Sequence, residues 1–205
     1  MPDPERCALV VIDVQNDYIH SDGAMARMGH DTAGCRAQMP NVLELIEHAR
    51  RMAIPTIFVR QTHSHWFNTE GWLARGSGGS ELSPDRIPLV EDGTWGAEFY
   101  AVEPRAEDLV LTKHRYDAFQ YTPLELALRA KERDTVLLCG GATDVCVRYT
   151  AASAVTRGFF PLLVHDCCLS WGEDVQERAV EAFAGYIGRV VSLADVRAAW
   201  EPLAV

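Results

Sequence analysis

The sequence lacks any apolar run long enough for a membrane-spanning helix. Its longest apolar stretches, residues 7–12 and 159–164, have the length of a strand, whereas a membrane span takes about 20 residues. The chain enters the first stretch within a few residues of Met1, and this leaves no room for a cleavable secretion signal. We therefore expect a cytoplasmic protein that has no membrane partner.

Positive charge is also scarce. The chain has 19 Lys and Arg against 29 Asp and Glu, which gives a formal net charge of −10. Proteins that bind nucleic acids neutralise phosphates with clusters of Lys and Arg. We therefore expect no nucleic-acid partner.

Several cysteine and glycine signatures are missing. None of the six cysteines forms a Cys-x-x-Cys pair, and we expect reduced thiols rather than disulfides. The residue six positions after Cys146 is Ala152, so the Cys-x5-Arg loop of cysteine phosphatases is absent. The chain also has no P-loop or dinucleotide-binding glycine motif. We expect no cofactor.

The apolar residues that are present predict an α/β fold. The 205 residues are 48% hydrophobic and 23% charged, which is typical of one globular domain, and we expect residues 1–205 to form it. Six short β-rich runs alternate with helical patterns, at residues 7–12, 54–59, 109–112, 135–139, 160–164 and 189–191. This alternation predicts a three-layer αβα structure with a six-stranded, mainly parallel sheet of Rossmann-type topology.

Helical periodicity and capping residues predict the covering helices. The apolar positions 42, 45, 46 and 49 predict a helix that begins after Pro40 and Asn41. Thr122-Pro123-Leu124-Glu125 is a capping-box pattern, which predicts a helix that ends near Lys131. Further helices are predicted at about 144–156, at 173–186, and at 194–200 behind Ser192 as a cap. Residues 67–104 combine glycines with aromatic residues, and such a long connection is typical of a lid or an oligomer contact.

Three chemically matched residues follow the predicted strands. Asp13 ends the first strand, Lys113 ends the third, and Cys146 follows the fourth. Ligands of parallel sheets bind beyond the carboxyl ends of the strands, so we expect an acid, an amine and a thiol to converge there. Taken singly, each has a simpler explanation, because a cysteine is often a small buried hydrophobe and strand ends often carry solvated polar groups.

Cys146 is the candidate nucleophile. With Thr143 as N-cap, Cys146 stands at the third helical position, where the helix dipole and a nearby ammonium favour a thiolate. The amides of Ala142 and Cys146 are candidates for an oxyanion hole. Asp13 would accept the thiol proton and return it to the leaving amine, while Lys113 would stabilise the thiolate.

Three segments carry a resemblance to a known family. They are Val-Ile-Asp-Val-Gln-Asn-Asp around Asp13, Lys-His-Arg-Tyr-Asp-Ala-Phe from Lys113, and Gly-Gly-Ala-Thr-Asp-Val-Cys-Val-Arg-Tyr-Thr-Ala from residue 140. They resemble the isochorismatase-like cysteine hydrolases over about residues 7–196. The resemblance implies a catalytic triad of Asp13, Lys113 and Cys146, with an oxyanion hole at Ala142 and Cys146. It also implies a cis peptide between Gly141 and Ala142, although family members commonly have a β-branched residue in place of Gly141.

The resemblance also narrows the reaction. Family members cleave amides, ureido and N-carbamoyl compounds, and the vinyl ether of isochorismate. Vinyl ether cleavage needs no thiol, so Cys146 favours C–N hydrolysis through a thioester-type intermediate. Residues 91–99 and 113–119 look most like the ureidoacrylate, biuret and carbamoyl-amine branches. The alternatives are isochorismatase or nicotinamidase activity, or a non-catalytic protein of this fold that binds a small molecule.

The residues after the second strand argue against a metal. The nicotinamidase branch carries an Asp-x-His metal motif there, whereas this chain has Gln61 in place of the carboxylate, followed by His63 and His65. At i and i+2 of an extended chain the two imidazoles would point the same way, which keeps zinc open as an alternative. We expect no metal.

Polar and aromatic residues near the strand ends are candidates for the substrate pocket, with core packing as the alternative for the aromatic ones. These candidates are Tyr18, Gln61, His63, Trp66 and Phe119. Arg60, Arg115 and Arg148 are candidates for holding a substrate carboxylate. The resemblance further implies a homo-oligomer, a dimer or tetramer, that acts on a small amide or urea.

Overall fold

The computed structural model describes residues 1–75 and 87–200. Within them, six strands form one sheet in the order β3-β2-β1-β4-β5-β6, and every pairing is parallel. The strands are β1 (Cys7–Ile12), β2 (Thr56–Gln61), β3 (Leu109–Lys113), β4 (Thr135–Gly141), β5 (Phe160–Leu169) and β6 (Arg189–Val191). The strand order reverses between β1 and β4, and open sheets of this type bind ligands at that point.

Helices cover both faces of the sheet. They are α1 (Asn16–Ile19), α2 (Ala24–Arg27), α3 (Ala33–Arg51), α4 (Glu70–Leu73), α5 (Leu124–Ala130), α6 (Arg148–Thr156), α7 (Glu173–Tyr186) and α8 (Leu193–Trp200). Short 3₁₀ turns lie at Pro4–Arg6 and Trp95–Ala97, and a π-helical segment at Thr143–Val147 precedes α6. None of the described helices is long and apolar enough to cross a membrane.

Alternate residues of β1 enter two separate cores. Leu9 and Val11 pack with the apolar faces of α3 and α8, whereas Val10 and Ile12 pack with those of α5, α6 and α7. All residues of β1 are buried, which is typical of a central parallel strand covered on both sides. The predicted three-layer αβα fold with a six-stranded sheet is therefore confirmed.

The start predicted for α3 is wrong. The helix begins at Ala33, so Pro40 lies inside it instead of preceding it. Cys35 and Met39 are buried on the same face as Val42 and extend its apolar stripe. This burial offsets the backbone hydrogen bond that Pro40 cannot make.

Two capping predictions have different outcomes. Ser192 does cap α8, because its Oγ accepts the Asp195 amide at 3.1 Å. At α5, Thr122 Oγ1 accepts the amide of Leu124 at 3.2 Å. The carboxylate of Glu125, however, pairs with arginines on α5 and after α6 instead of reaching back, so the predicted capping box is incomplete.

The connection at residues 67–104 contains α4 and the 3₁₀ turn at Trp95–Ala97. Three of its glycines, Gly76, Gly78 and Gly79, lie outside the described residues. The carboxyl-terminal part of this connection packs against the residues that follow β1. Gln15 forms a β-bridge with Phe99, and the Asn16 amide donates to Glu98 O at 3.0 Å.

Candidate active site

Three buried side chains meet at the carboxyl end of the sheet. Lys113 Nζ lies 2.7 Å from Asp13 Oδ2 and 3.3 Å from Cys146 Sγ. The exposed fractions are 1% for Asp13, 0% for Lys113 and 5% for Cys146. The structure therefore brings together the acid, the amine and the thiol that the sequence places at three strand ends.

The backbone after β1 directs Asp13 into the site. Its φ of +51° lies in the left-handed region, which aspartate tolerates better than most residues. The Asp13 amide donates to Val59 O at 2.8 Å, and its carbonyl accepts from Gln15 N at 2.9 Å. These two hydrogen bonds hold the turn between the neighbouring strand and the chain that follows.

A glycine pair makes the turn between β4 and Cys146. Gly140 has a φ of +96°, and a Cβ there would lie 2.0 Å from Ile12 O, so only glycine fits. The register between β4 and β5 shifts between Leu138 and Gly140, which forms a bulge next to the site. The peptide bond between Gly141 and Ala142 is cis.

The helical turn that carries Cys146 differs from the predicted one. Thr143 is not the N-cap, because its Oγ1 lies 3.1 Å from Leu169 O and 2.6 Å from Gln176 Oε1. The turn is π-helical, and the amides of Val145 and Val147 both donate to Ala142 O at 3.1 Å. The Cys146 amide lies between these two and does not donate to that carbonyl. The Ala142 amide donates no hydrogen bond within residues 1–75 and 87–200.

Burial dominates the electrostatics of the site. It raises the pKa of the Cys146 thiol well above its ordinary value, although the Lys113 ammonium acts in the opposite direction. The predicted influence of a nearby ammonium on the thiol is therefore confirmed in direction, but burial outweighs it. Burial also raises the pKa of Asp13, against the influence of Lys113 and the thiol. For Lys113, burial lowers the pKa, but Asp13 and Cys146 together outweigh it and leave the pKa raised.

Gln61 is a fourth polar group in the cluster. Its Oε1 lies 3.0 Å from Lys113 Nζ and 3.5 Å from Cys146 Sγ. Gln15, which the sequence analysis did not single out, fixes the backbone of Gln61. Gln15 Oε1 accepts a hydrogen bond from the Gln61 amide, and Gln15 Nε2 donates one to the Gln61 carbonyl, each at 2.8 Å. The Gln15 side chain also donates to Ala97 O at 2.8 Å, so it joins three segments. Its position two residues after Asp13 is the signal that could have identified it.

The two histidines do not point the same way, and that prediction is wrong. His63 is buried, whereas His65 is exposed beside Trp66, because β2 ends at Gln61 and the chain then turns. His63 Nδ1 lies 3.0 Å from Asn68 Oδ1, and His63 Nε2 lies 3.1 Å from a guanidinium nitrogen of Arg75. Among the described residues, no group of three or more His, Cys, Asp or Glu side chains could hold a metal ion.

The remaining pocket candidates are divided between site and core. Tyr18 lies near the cluster: burial raises the pKa of its hydroxyl, and the charges of Asp13 and Cys146 raise it further. Trp66 is 79% exposed, and Phe119 stacks on Phe159 in the core under the sheet. The structure does not join either of these two to the cluster.

Of the arginine candidates, Arg115 lies next to the cluster through its backbone, since Lys113 Nζ donates to the Arg115 carbonyl at 3.1 Å, but its side chain is directed elsewhere. Arg60 donates to Thr112 Oγ1 at 3.1 Å, and Arg115 donates to the carbonyls of His114 and Phe67. Arg75 instead contacts His63, which lies within 3.4 Å of the Gln61 amide nitrogen. Arg75 lies in an irregular connection between two strands, where no periodic pattern of the sequence could have predicted its contact with His63.

Fold and site together define an α/β protein with a buried cysteine, lysine and aspartate at the switch point of its sheet. A family model described as the Isochorismatase domain matches residues 7–195. The chain belongs to the isochorismatase family.

Relatives and solved structures agree with this family. The chain is 29% identical to the ureidoacrylate amidohydrolase RutB of Methylobacterium radiotolerans, over 93% of this chain and 79% of that protein. It is 28% identical to RutB of Azorhizobium caulinodans, over 96% and 91% of the two chains. An isochorismatase-like hydrolase from Alkaliphilus metalliredigens has a TM-score of 0.81 at 24% identity, with 96% and 100% covered. The nicotinamidase PncA of Bacillus subtilis has a TM-score of 0.76 at 25% identity, with 91% and 99% covered.

Proposed function

We propose that the protein is a cysteine hydrolase that cleaves a C–N bond of a small amide, ureido or N-carbamoyl compound. The observation that carries the proposal is the buried Lys113 ammonium, which contacts both the Asp13 carboxyl and the Cys146 thiol. A nucleophile with an adjacent base, held by a third group, is the arrangement that acyl transfer requires.

Cys146 attacks as a thiol whose proton is removed during the attack. Because burial raises the thiol pKa, little thiolate is present before substrate binds. The Asp13 carboxylate accepts the proton as sulfur adds to the substrate carbonyl, and its raised pKa makes it a stronger base than an exposed aspartate. The Lys113 ammonium keeps the carboxyl and the sulfur in place and offsets the negative charge.

The amides of Ala142 and Cys146 are the proposed oxyanion hole. Ala142 donates to no other described residue, and Cys146 does not join its neighbours in donating to the Ala142 carbonyl. Amides that point at a developing oxyanion are worth about 3 to 4 kcal/mol of transition-state stabilisation. They would hold the carbonyl oxygen while the C–N bond breaks.

Asp13 carries the proton in both halves of the reaction. Collapse of the tetrahedral adduct breaks the C–N bond, and the leaving nitrogen takes the proton from Asp13. Water then adds to the resulting thioester or thiocarbamate and gives one proton to Asp13. Collapse of this second adduct releases the acid, and the proton returns to the Cys146 sulfur.

The curated relatives point to a ureido substrate. Both are named ureidoacrylate amidohydrolases and align over nearly the whole chain. A ureido group offers the carbonyl carbon and the nitrogen leaving group that the mechanism needs. We propose ureidoacrylate as the first substrate to test.

Ammonia release from a panel of small amides tests the proposal. The panel comprises ureidoacrylate, biuret, an N-carbamoyl amino acid and nicotinamide, each incubated with chelator-treated wild type and with Cys146→Ala. We expect turnover of at least one ureido or carbamoyl compound that survives chelation and disappears in the variant. Activity retained by Cys146→Ala, or a wild type inert towards the whole panel, would contradict the proposal.

A further inference from the structure

Among the described residues, Arg75 is held close to the site by a hydroxyl, a backbone carbonyl and an imidazole. Its Nε donates to the Tyr116 hydroxyl at 2.8 Å, one terminal nitrogen donates to Trp72 O, and the other lies 3.1 Å from His63 Nε2. The guanidinium carbon stands 3.7 Å from the centre of the Trp72 ring. A guanidinium has five N–H donors, so these contacts leave about two of them for another acceptor.

Arg75 is one of several arginines that pair with no carboxylate among the described residues, and it is the one of them that contacts His63. Arg105 and Arg197 pair with carboxylates on the surface, and Arg50 pairs with the buried carboxylate of Asp108. Within residues 1–75 and 87–200, neither Arg75 nor Arg115 pairs with a carboxylate, although the chain has ten more acidic than basic residues. Arg115 lies 5.0 Å from the same Trp72 ring. Two guanidinium groups therefore flank one aromatic ring, and no carboxylate of the described residues pairs with either of them.

Contacts connect Arg75 to the thiol. His63 Nε2 lies 3.4 Å from Gln61 Nε2, and Gln61 Oε1 lies 3.5 Å from Cys146 Sγ. The Arg75 charge also acts on Tyr18, a group that Asp13 and Cys146 influence in turn. Arg75 thus stands two side chains away from the sulfur, on the far side of Gln61 and His63. The Arg115 carbonyl accepts from Lys113 Nζ at 3.1 Å, but the Arg115 guanidinium donates to the carbonyl of Phe67, an exposed residue.

We propose that Arg75 binds a carboxylate of the substrate, which lies a few bonds from the carbonyl that Cys146 attacks. This assignment rests on the proposed function and narrows it, because the preferred substrates become ureido or N-carbamoyl acids and neutral amides become poor ones. Arginine suits this role since its planar fork matches a carboxylate in a bidentate way. Stacking on Trp72 and three hydrogen bonds hold the fork in place before the substrate arrives.

Paired substrates provide the test. Wild type and Arg75→Gln are assayed with ureidoacrylate and with its methyl ester, and ammonia release from the ureido group is measured for both. For the acid we expect Arg75→Gln to lower kcat/KM by roughly 10- to 100-fold, mostly through KM. For the ester the change should stay within about threefold, because no charge-assisted bond is lost. Arg75→Lys should recover part of the loss on the acid only.

Two further variants complete the design. Arg105→Gln removes an arginine at the opposite end of β3, where it pairs with Glu47, and it should behave as wild type on both substrates. Calorimetric titration of Cys146→Ala with ureidoacrylate, with and without Arg75→Gln, measures binding without turnover and should show the same loss.

The outcomes separate the two proposals. Equal losses on acid and ester in Arg75→Gln, or a loss selective for the acid in Arg115→Gln instead, would overturn the role of Arg75 while turnover by wild type still supports the hydrolase. A wild type that neither turns over nor binds any ureido compound would overturn the proposed function itself.

Discussion

The Lys113 ammonium lies 2.7 Å from the Asp13 carboxylate, and both side chains are fully buried. Such a pair contributes little net stability, because desolvation cancels most of the attraction. The role of the Asp13–Lys113 pair is to hold a base next to the Cys146 thiol. The cost of breaking it is nevertheless large, since the remaining partner becomes an unpaired buried charge.

The first prediction concerns this pair. Lys113→Met should lower the free energy of unfolding by about 3 to 5 kcal/mol, because it leaves the Asp13 charge buried and unpaired. The double variant Asp13→Asn with Lys113→Met should recover much of that loss, yet both should be inactive. Urea unfolding and ammonia release measure the two properties. Equal instability of the single and double variants would contradict a buried ion pair.

The second prediction concerns pH. Asp13 must be ionised to accept the thiol proton, and burial raises its pKa above the ordinary value of 3.8. As the pH falls through this raised pKa, the carboxylate becomes protonated and kcat/KM declines. The acidic limb of a pH profile of kcat/KM should therefore lie above 3.8. A profile that stays flat down to that value would rule out a raised pKa at the base.

The third prediction compares two adjacent glycines. Gly140→Ala should destabilise the fold by about 3 kcal/mol or more, because of its positive φ and a clash with Ile12 O. Gly141→Ala places its Cβ 3.1 Å from Leu169 Cβ, which a small shift relieves, so its cost should be clearly lower. Thermal unfolding of both variants decides the order, and equal costs would be inconsistent with this turn geometry.

The fourth prediction concerns Gln15. Gln15→Met keeps the length of the side chain but removes three buried hydrogen bonds to Gln61 and Ala97. Each unsatisfied buried group costs about 1 to 3 kcal/mol, so the stability should fall by a few kcal/mol. The activity should fall as well, because Gln61 loses its support. Gln120→Met, at an exposed position, is the matched control, and indistinguishable variants would refute the role of Gln15.

Much of the fold could be predicted from apolar patterning. The ends of β1, β6 and α7 coincide with the predicted ones, which followed the apolar runs and helical patterns of the sequence. β2 and β4 continue beyond their predicted ends into polar or glycine residues such as Gln61 and Gly141, and β5 continues through His165 and Asp166 to Leu169. Pairing with β3 keeps Gln61 extended, and pairing with β5 does the same for Gly140 and Gly141.

The site was partly predictable for the same reason. Strand ends locate Asp13, Lys113 and Cys146, because parallel topology alone brings such ends together. The bonds from Gln15 to Gln61 and from Arg75 to His63 join segments without any local pattern. The raised pKa of Cys146 also follows from three-dimensional burial, which a helix position cannot reveal.

The most direct test of the account is mass spectrometry of the enzyme quenched during turnover. With the best substrate of the panel, wild type and the control Cys35→Ala should carry an acyl or carbamoyl adduct, and peptide mapping should place it on Cys146. Cys146→Ala should carry none and release no ammonia. Steady turnover with an unmodified Cys146, or an adduct on another residue that accounts for turnover, would contradict the central claim that this thiol is the nucleophile.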